Sequence, residues 1–198
     1  MSLIPIFKPG LWNAWIFMSV FIIQMFVMWA INKDAFQRSH VPSDMRQNPI
    51  ERWAGTAGNL IWLLAMVYSI FLPLRSGTII FYFGLAFFLT GLVLLSAATF
   101  SFITTPADQL IVKGAYRILR HPMYAATFFI CTGTGLATGS WLFIILTVAM
   151  ALCLYQEALV EERYCRSKYG HVYEKYIKRT HRWIGVSKRS RMSERDHP

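Results

Sequence analysis

Acidic residues are scarce in this chain. Among 198 residues there are 10 Asp and Glu against 20 Lys and Arg, and charges of both signs together make up only 15%. An average soluble domain carries about 25%. There are only three cysteines, Cys131, Cys153 and Cys165. So few exclude a disulfide-stapled secreted domain, and no CxxC or Cys/His cluster has metal-ligand spacing, so no metal site is expected. No internal repeat is visible. What the chain has instead is 55% apolar and 16% aromatic residues, too hydrophobic for a disordered chain. The net charge of +10 raises the question of nucleic acid, which the placement of the basic residues decides.

They lie outside four long apolar runs. Leu11 to Ile31 holds no charge, and its strongly polar members are Asn13 and Gln24. Ala54 to Leu74 is also uncharged, as is Ser76 to Phe102. Met123 to Gln156 is longer and is interrupted by Gly133, Gly135, Thr138, Gly139 and Ser140. About 20 apolar residues cross roughly 30 Å of hydrocarbon. The first three runs therefore read as single spans, and the fourth as two short helices joined by a tight Gly/Ser turn. The fold class expected is all-α: a multi-pass membrane protein of about five transmembrane helices, over residues 11–31, 54–74, 77–101, 123–138 and 141–156, with a C-terminal cytoplasmic helix. Residues 1–185 form a single domain in this reading, and 186–198 a flexible basic tail.

The charges agree with that topology. The segments 32–53, 99–122 and 156–198 carry 18 of the 20 basic residues, and only Lys8 and Arg75 fall on the other side. Positive charge marks the cytoplasmic face, which puts the N-terminus outside and the C-terminus in the cytoplasm. No basic patch on a soluble surface remains for nucleic acid. Trp12, Trp29, Trp53 and Trp141 fall at span ends, where indoles favour the interface. The first run is too long for a signal-peptide h-region, and no A-x-A site follows it.

Polar residues crowd in two cytoplasmic stretches, Asp108 to Tyr124 and Glu157 to Tyr176, which flank the last hairpin. The motifs there are Gly114-x-Tyr116, Arg120-His-Pro-x-Tyr124, Glu161-Glu162 and Tyr169-Gly170-x-x-Tyr173-x-x-Tyr176. In that order they resemble the isoprenylcysteine carboxyl methyltransferase and phospholipid methyltransferase group of integral membrane enzymes. The resemblance covers about residues 108–182. It implies S-adenosylmethionine as cofactor and a lipophilic methyl acceptor or lipid as partner. It also implies that Gln109, Leu110, Ile111, Tyr116, His121, Pro122, Met123, Tyr124 and Glu161 line the cofactor pocket. A carboxylate and aromatic faces suit a sulfonium cation and an amino group. Methyl transfer would then be direct and in line, with the cofactor entering from the cytoplasm beneath the C-terminal helix and the acceptor sideways from lipid.

Two positions depart from the group's pattern. Ala126 stands where Gly is usual. Glu157 stands where the prenylcysteine enzymes carry an Arg for the substrate carboxylate, so a neutral or cationic nucleophile suits this chain better, unless Arg163 moves in. Glu157 is the candidate base and Glu161 the second catalytic candidate. Simpler roles compete elsewhere. Tyr173 and Tyr176 read as packing, Glu162 as an i,i+4 partner of Arg166, and Glu174 as a partner of Lys178. Gln24 reads as interhelical glue, Cys131 and Cys153 as small apolar residues, and His40, His171, His181 and His197 as solvated. Two other classes stay open: an NADPH-dependent membrane reductase of the sterol-reductase type, and a non-catalytic accessory protein.

Overall fold

The computed structural model describes residues 8–38, 45, 46 and 48–183. The proposed tail 186–198, and with it His197, lies outside the described residues, as does His40. Among the described residues the regular structure is helical. The helices are α1 (Trp15–Ile31), α2 (Lys33–Arg38), α3 (Pro49–Ser69), α4 (Ile79–Ile103), α5 (Pro122–Thr138) and α6 (Trp141–Arg179), with a 3₁₀ turn over Gly114–Arg117 between α4 and α5.

Local chemistry sets most of the boundaries. Asn48 caps α3 by accepting a hydrogen bond from the Glu51 amide, and Pro49 occupies the first helical position, where its missing N–H costs nothing. Thr78 caps α4 through the Phe81 amide. The turn between α5 and α6 is the Gly/Ser turn expected from sequence. Gly139 adopts φ +64°, its amide donates to the Leu136 carbonyl, and the Ser140 amide donates to Gly135. That is the Schellman pattern of helix ends. Ser140 then caps α6 through the Phe143 amide at 3.2 Å.

Three expected spans start or stop elsewhere. Helix α1 begins at Trp15 rather than at residue 11, because Asn13 is used as a strap. Its side-chain amide donates to the carbonyls of Lys8 (2.6 Å) and Ile70 (2.7 Å), and the Ala14 amide donates to Leu72. The same strap draws residues 70–74 out of helix, so α3 ends at Ser69 and not at residue 74. The last span does not stop at 156. Helix α6 continues as one rod to Gly170, where φ +50° and ψ −125° break it before it runs on to Arg179.

Helix α4 packs along α5, and α3 along α6, while α5 and α6 pair as a hairpin. The core holds Met18, Phe17, Phe88, Ile130 and Phe143, with Phe17 stacked on Phe88 at 4.1 Å between ring centroids. Gln24 on α1 donates to Thr99 on α4 at 3.0 Å, the interhelical contact expected of it. Helices α4 and α6 are each long and apolar enough to cross a membrane, while α1 is apolar but shorter. Their outer faces carry exposed apolar side chains such as Val93, Phe100 and Leu152, and Trp12, Trp29, Trp53 and Trp141 are all exposed.

The seam between α4 and α5 is built on glycine. A Cβ on Gly133 would lie 2.6 Å from both the Gly84 carbonyl oxygen and the Phe88 amide nitrogen, and one on Gly84 2.6 Å from the Gly133 oxygen. The two backbones touch, as they do in small-residue helix pairs within membranes. Gly133→Ala is accordingly expected to cost about 1–3 kcal/mol and to lower the thermal midpoint in detergent. Gly58→Ala is the control, since its Cβ meets only the Cβ of Cys153 at 3.2 Å; a midpoint equal in both variants would contradict the close seam.

Candidate active site

The α5–α6 hairpin carries its polar residues at one end, where Pro122 starts α5 and α6 continues beyond the apolar part. There His121 precedes Pro122 and is buried. Its Nδ1 lies 3.2 Å from Glu161 and its Nε2 3.3 Å from Glu162. An imidazole with a carboxylate at each nitrogen is suited to the doubly protonated form, which donates from both. Burial opposes that charge, but the hydrogen bonds to Glu161 and Glu162, and then their charges, outweigh it and raise the His121 pKa above its ordinary value. The Tyr124 hydroxyl, one turn into α5, donates to Glu161, and its ring stacks on His121 at 5.4 Å.

Behind this group lies Glu162, with 1% of its side chain exposed. Arg182 donates to it through two nitrogens, at 2.8 and 2.7 Å, and Arg120 Nη1 stands 3.3 Å away. Burial alone would raise the Glu162 carboxyl. Hydrogen bonds from His121 and Arg182, with the charges of Arg120 and Arg182, instead hold it down to about 2. The expected Glu162–Arg166 pair is therefore absent. Arg166 donates to Glu174 at 3.0 Å, eight residues on, because the break at Gly170 turns the chain back. This takes Glu174 from Lys178 as well.

A cavity of about 630 Å³ opens against these residues. Of the residues expected at a cofactor pocket, Gln109, Leu110, Ile111, Tyr116, His121, Met123, Tyr124 and Glu161 all line it, whereas Pro122 is buried beside it without lining it. Tyr173 and Tyr176, read from sequence as packing residues, also line the cavity, and the Tyr176 hydroxyl donates to the Tyr116 carbonyl at 2.6 Å. His171 is exposed; His181 is half-buried, and its carbonyl accepts from the Arg120 amide at 2.7 Å. Cys165 lines the cavity too, but burial, and secondly the charge of Glu161, push its thiol up to about 12. It is no thiolate nucleophile at neutral pH.

Glu157 is not brought to the cavity. It is buried and held in a two-point ion pair by Arg46, with both contacts at 3.1 Å. Arg163 is not free to replace the missing Arg either; it donates to Glu51 at 2.6 Å. Sequence reasoning also missed Asp34 and Gln37 of α2, and Met45, which form one wall. The only signal for them was polarity in a short loop between two spans, which does not say where a loop folds.

The family model described as phospholipid methyltransferase matches residues 76–172, the stretch that supplies His121, Tyr124, Glu161 and the hairpin between them. Over this segment the chain is similar to the phospholipid methyltransferase family. The resemblance read from the two motifs is thereby borne out, and the family implies methyl transfer to lipid-type substrates. No curated protein matches the chain. The phospholipid methyltransferase segment contains most of the cavity wall but not all of it. Asp34, Gln37 and Met45 precede it, and Tyr173 and Tyr176 follow it.

Proposed function

We propose that this chain is an integral membrane methyltransferase that uses S-adenosylmethionine to methylate a lipophilic acceptor at the cytoplasmic face. The observation that carries this reading is the convergence of His121, Tyr124 and Glu161 on one cavity of about 630 Å³, within the range of small-molecule sites. The donor set fits the cofactor. Glu161 offers a carboxylate, and the rings of Tyr116, Tyr124 and Tyr164 offer faces to a cation. Leu110, Ile111 and Met123 supply apolar wall for an adenine. When bound, S-adenosylmethionine supplies an electrophilic methyl group on a sulfonium sulfur. His121 orients Glu161, and the tyrosines exclude water. Phe102 and Met45 give the acceptor an apolar approach. Alignment of this kind contributes several kcal/mol without acid/base groups.

In this reading α1, α3, α4, α5 and the first part of α6 cross the membrane as one domain over residues 1–185, with the N-terminus outside and the C-terminus in the cytoplasm. The basic residues on one side and the exposed apolar faces support it. At the position where a prenylcysteine enzyme holds a carboxylate, Glu157 stands already paired with Arg46, which favours a neutral or cationic nucleophile.

The test is calorimetric titration of the detergent-purified protein with S-adenosylhomocysteine and, separately, NADPH. Binding of the homocysteine compound in the micromolar range, about −8 kcal/mol, is the expected result. Binding of NADPH alone would replace this reading with a reductase, and binding of neither with an accessory protein.

A further inference from the structure

The residues just after α6 fold back under the site. Leu119 bridges to His181, the Arg120 amide donates to the His181 carbonyl at 2.7 Å, and the Trp183 ring lies 5.9 Å from His121. This strap, residues 180–183, lies outside the phospholipid methyltransferase segment. It delivers one charged side chain inward. Arg182 grips both oxygens of Glu162, and Glu162 in turn faces His121 Nε2, while His121 Nδ1 faces Glu161 and Glu161 accepts from Tyr124. A single line of contacts thus runs from the strap to the carboxylate at the cavity wall.

We propose that Arg182 is a positioning residue, which clamps Glu162 and so fixes the carboxylate that holds His121 against Glu161. A two-point guanidinium–carboxylate contact locks orientation as well as position. Without it, Glu162 keeps Arg120 at 3.3 Å, but Arg120 Nε and Nη1 make no hydrogen bond, so its grip is a charge without a direction. The clamp also sets charge. Arg182 shares the negative charge of Glu162 with His121, so His121 feels less of it than an unclamped carboxylate would impose. The ionisable groups around His121 are Glu161, Glu162 and Cys165 of α6, Tyr173 and Tyr176 beyond its break, Arg120 and Tyr116 before α5, Tyr124 of α5 and Arg182 of the strap.

This proposal rests on the cofactor reading only for its consequence, and its test separates the two. The titration of His121 is followed by NMR of histidine-labelled protein in detergent, with the signal assigned by difference from His121→Asn. Arg182→Gln frees Glu162 and should move the His121 titration to higher pH. Glu162→Gln removes a carboxylate and should move it to lower pH. A merely structural strap would expose His121 in both variants and move both titrations down, towards the ordinary histidine value near 6.5. A downward or unchanged titration in Arg182→Gln overturns the proposal. Should that variant fail to fold, Arg182→Lys carries the same test: a smaller upward move supports the clamp, and a downward or absent one overturns it.

S-adenosylhomocysteine affinity supplies the second readout. Arg182→Gln should lose about tenfold, the worth of one charge-assisted hydrogen bond, and Arg182→Lys should regain part of it. If the wild type binds none while the two titrations part as expected, the cofactor reading fails and the clamp stands. If the wild type binds and Arg182→Gln binds equally well, the clamp fails and the cofactor reading stands.

Discussion

Arg46→Ala should destabilise the protein by about 3 kcal/mol, the lower end of the range for breaking a buried ion pair. Arg46 and Glu157 keep only 16% and 11% of their side chains exposed. The guanidinium packs over Gly55, where a Cβ would come within 2.5 Å of Nε. Glu157 left alone would be a nearly buried carboxylate without its counter-ion. The double variant Arg46→Ala, Glu157→Leu should recover most of the loss, because removing both charges removes the unpaired one. Thermal unfolding in detergent measures both. A single-variant loss under about 1 kcal/mol is what a solvent-screened surface pair would give, and it would show that the 46–157 contact does not hold the loop to α6.

Glu161→Gln should bring the largest change in ligand binding. The carboxylate is accepting from Tyr124 and faces His121 Nδ1, so its amide isostere keeps the shape and loses the charge. Hydrogen bonds to charged groups are worth about 1.5–3 kcal/mol, or roughly 10–150-fold in affinity. S-adenosylmethionine carries a sulfonium that S-adenosylhomocysteine lacks. The variant should therefore weaken the first more than the second if Glu161 faces the sulfonium. Equal loss for both would place the carboxylate at the amino group they share, and no loss for either would remove Glu161 from the cofactor site.

How much of this was legible in the sequence depended on whether the signal was local. The α5–α6 turn was, because Gly139 and Ser140 are the residues a Schellman end and a following cap require. The starts of α1 and the end of α3 were not, since hydropathy counts apolar residues and cannot see that Asn13 spends its amide on the Lys8 and Ile70 carbonyls. In the site, His121, Tyr124 and Glu161 stood out through motif order. The partners of Glu162 did not. An i,i+4 rule finds Arg166 from within one helix, whereas Arg182 reaches Glu162 only because the chain breaks at Gly170 and returns. Likewise Asp34, Gln37 and Met45 reach the cavity through a loop whose path no periodicity encodes.

Helix α6 has one further consequence, which is a matter of phase. From Trp141 to Gly170 it is about 45 Å of uninterrupted rod, at 1.5 Å per residue. Its first turns sit among apolar neighbours and its later ones present Glu161 to His121 and Tyr124. Each residue advances the rod by about 100°. One residue gained or lost between 141 and 161 would therefore leave every side chain of the site in the sequence and swing the carboxylate a quarter-turn or more out of register with the imidazole it meets. The spacing between hairpin and carboxylate is as much a part of the chemistry as the carboxylate itself.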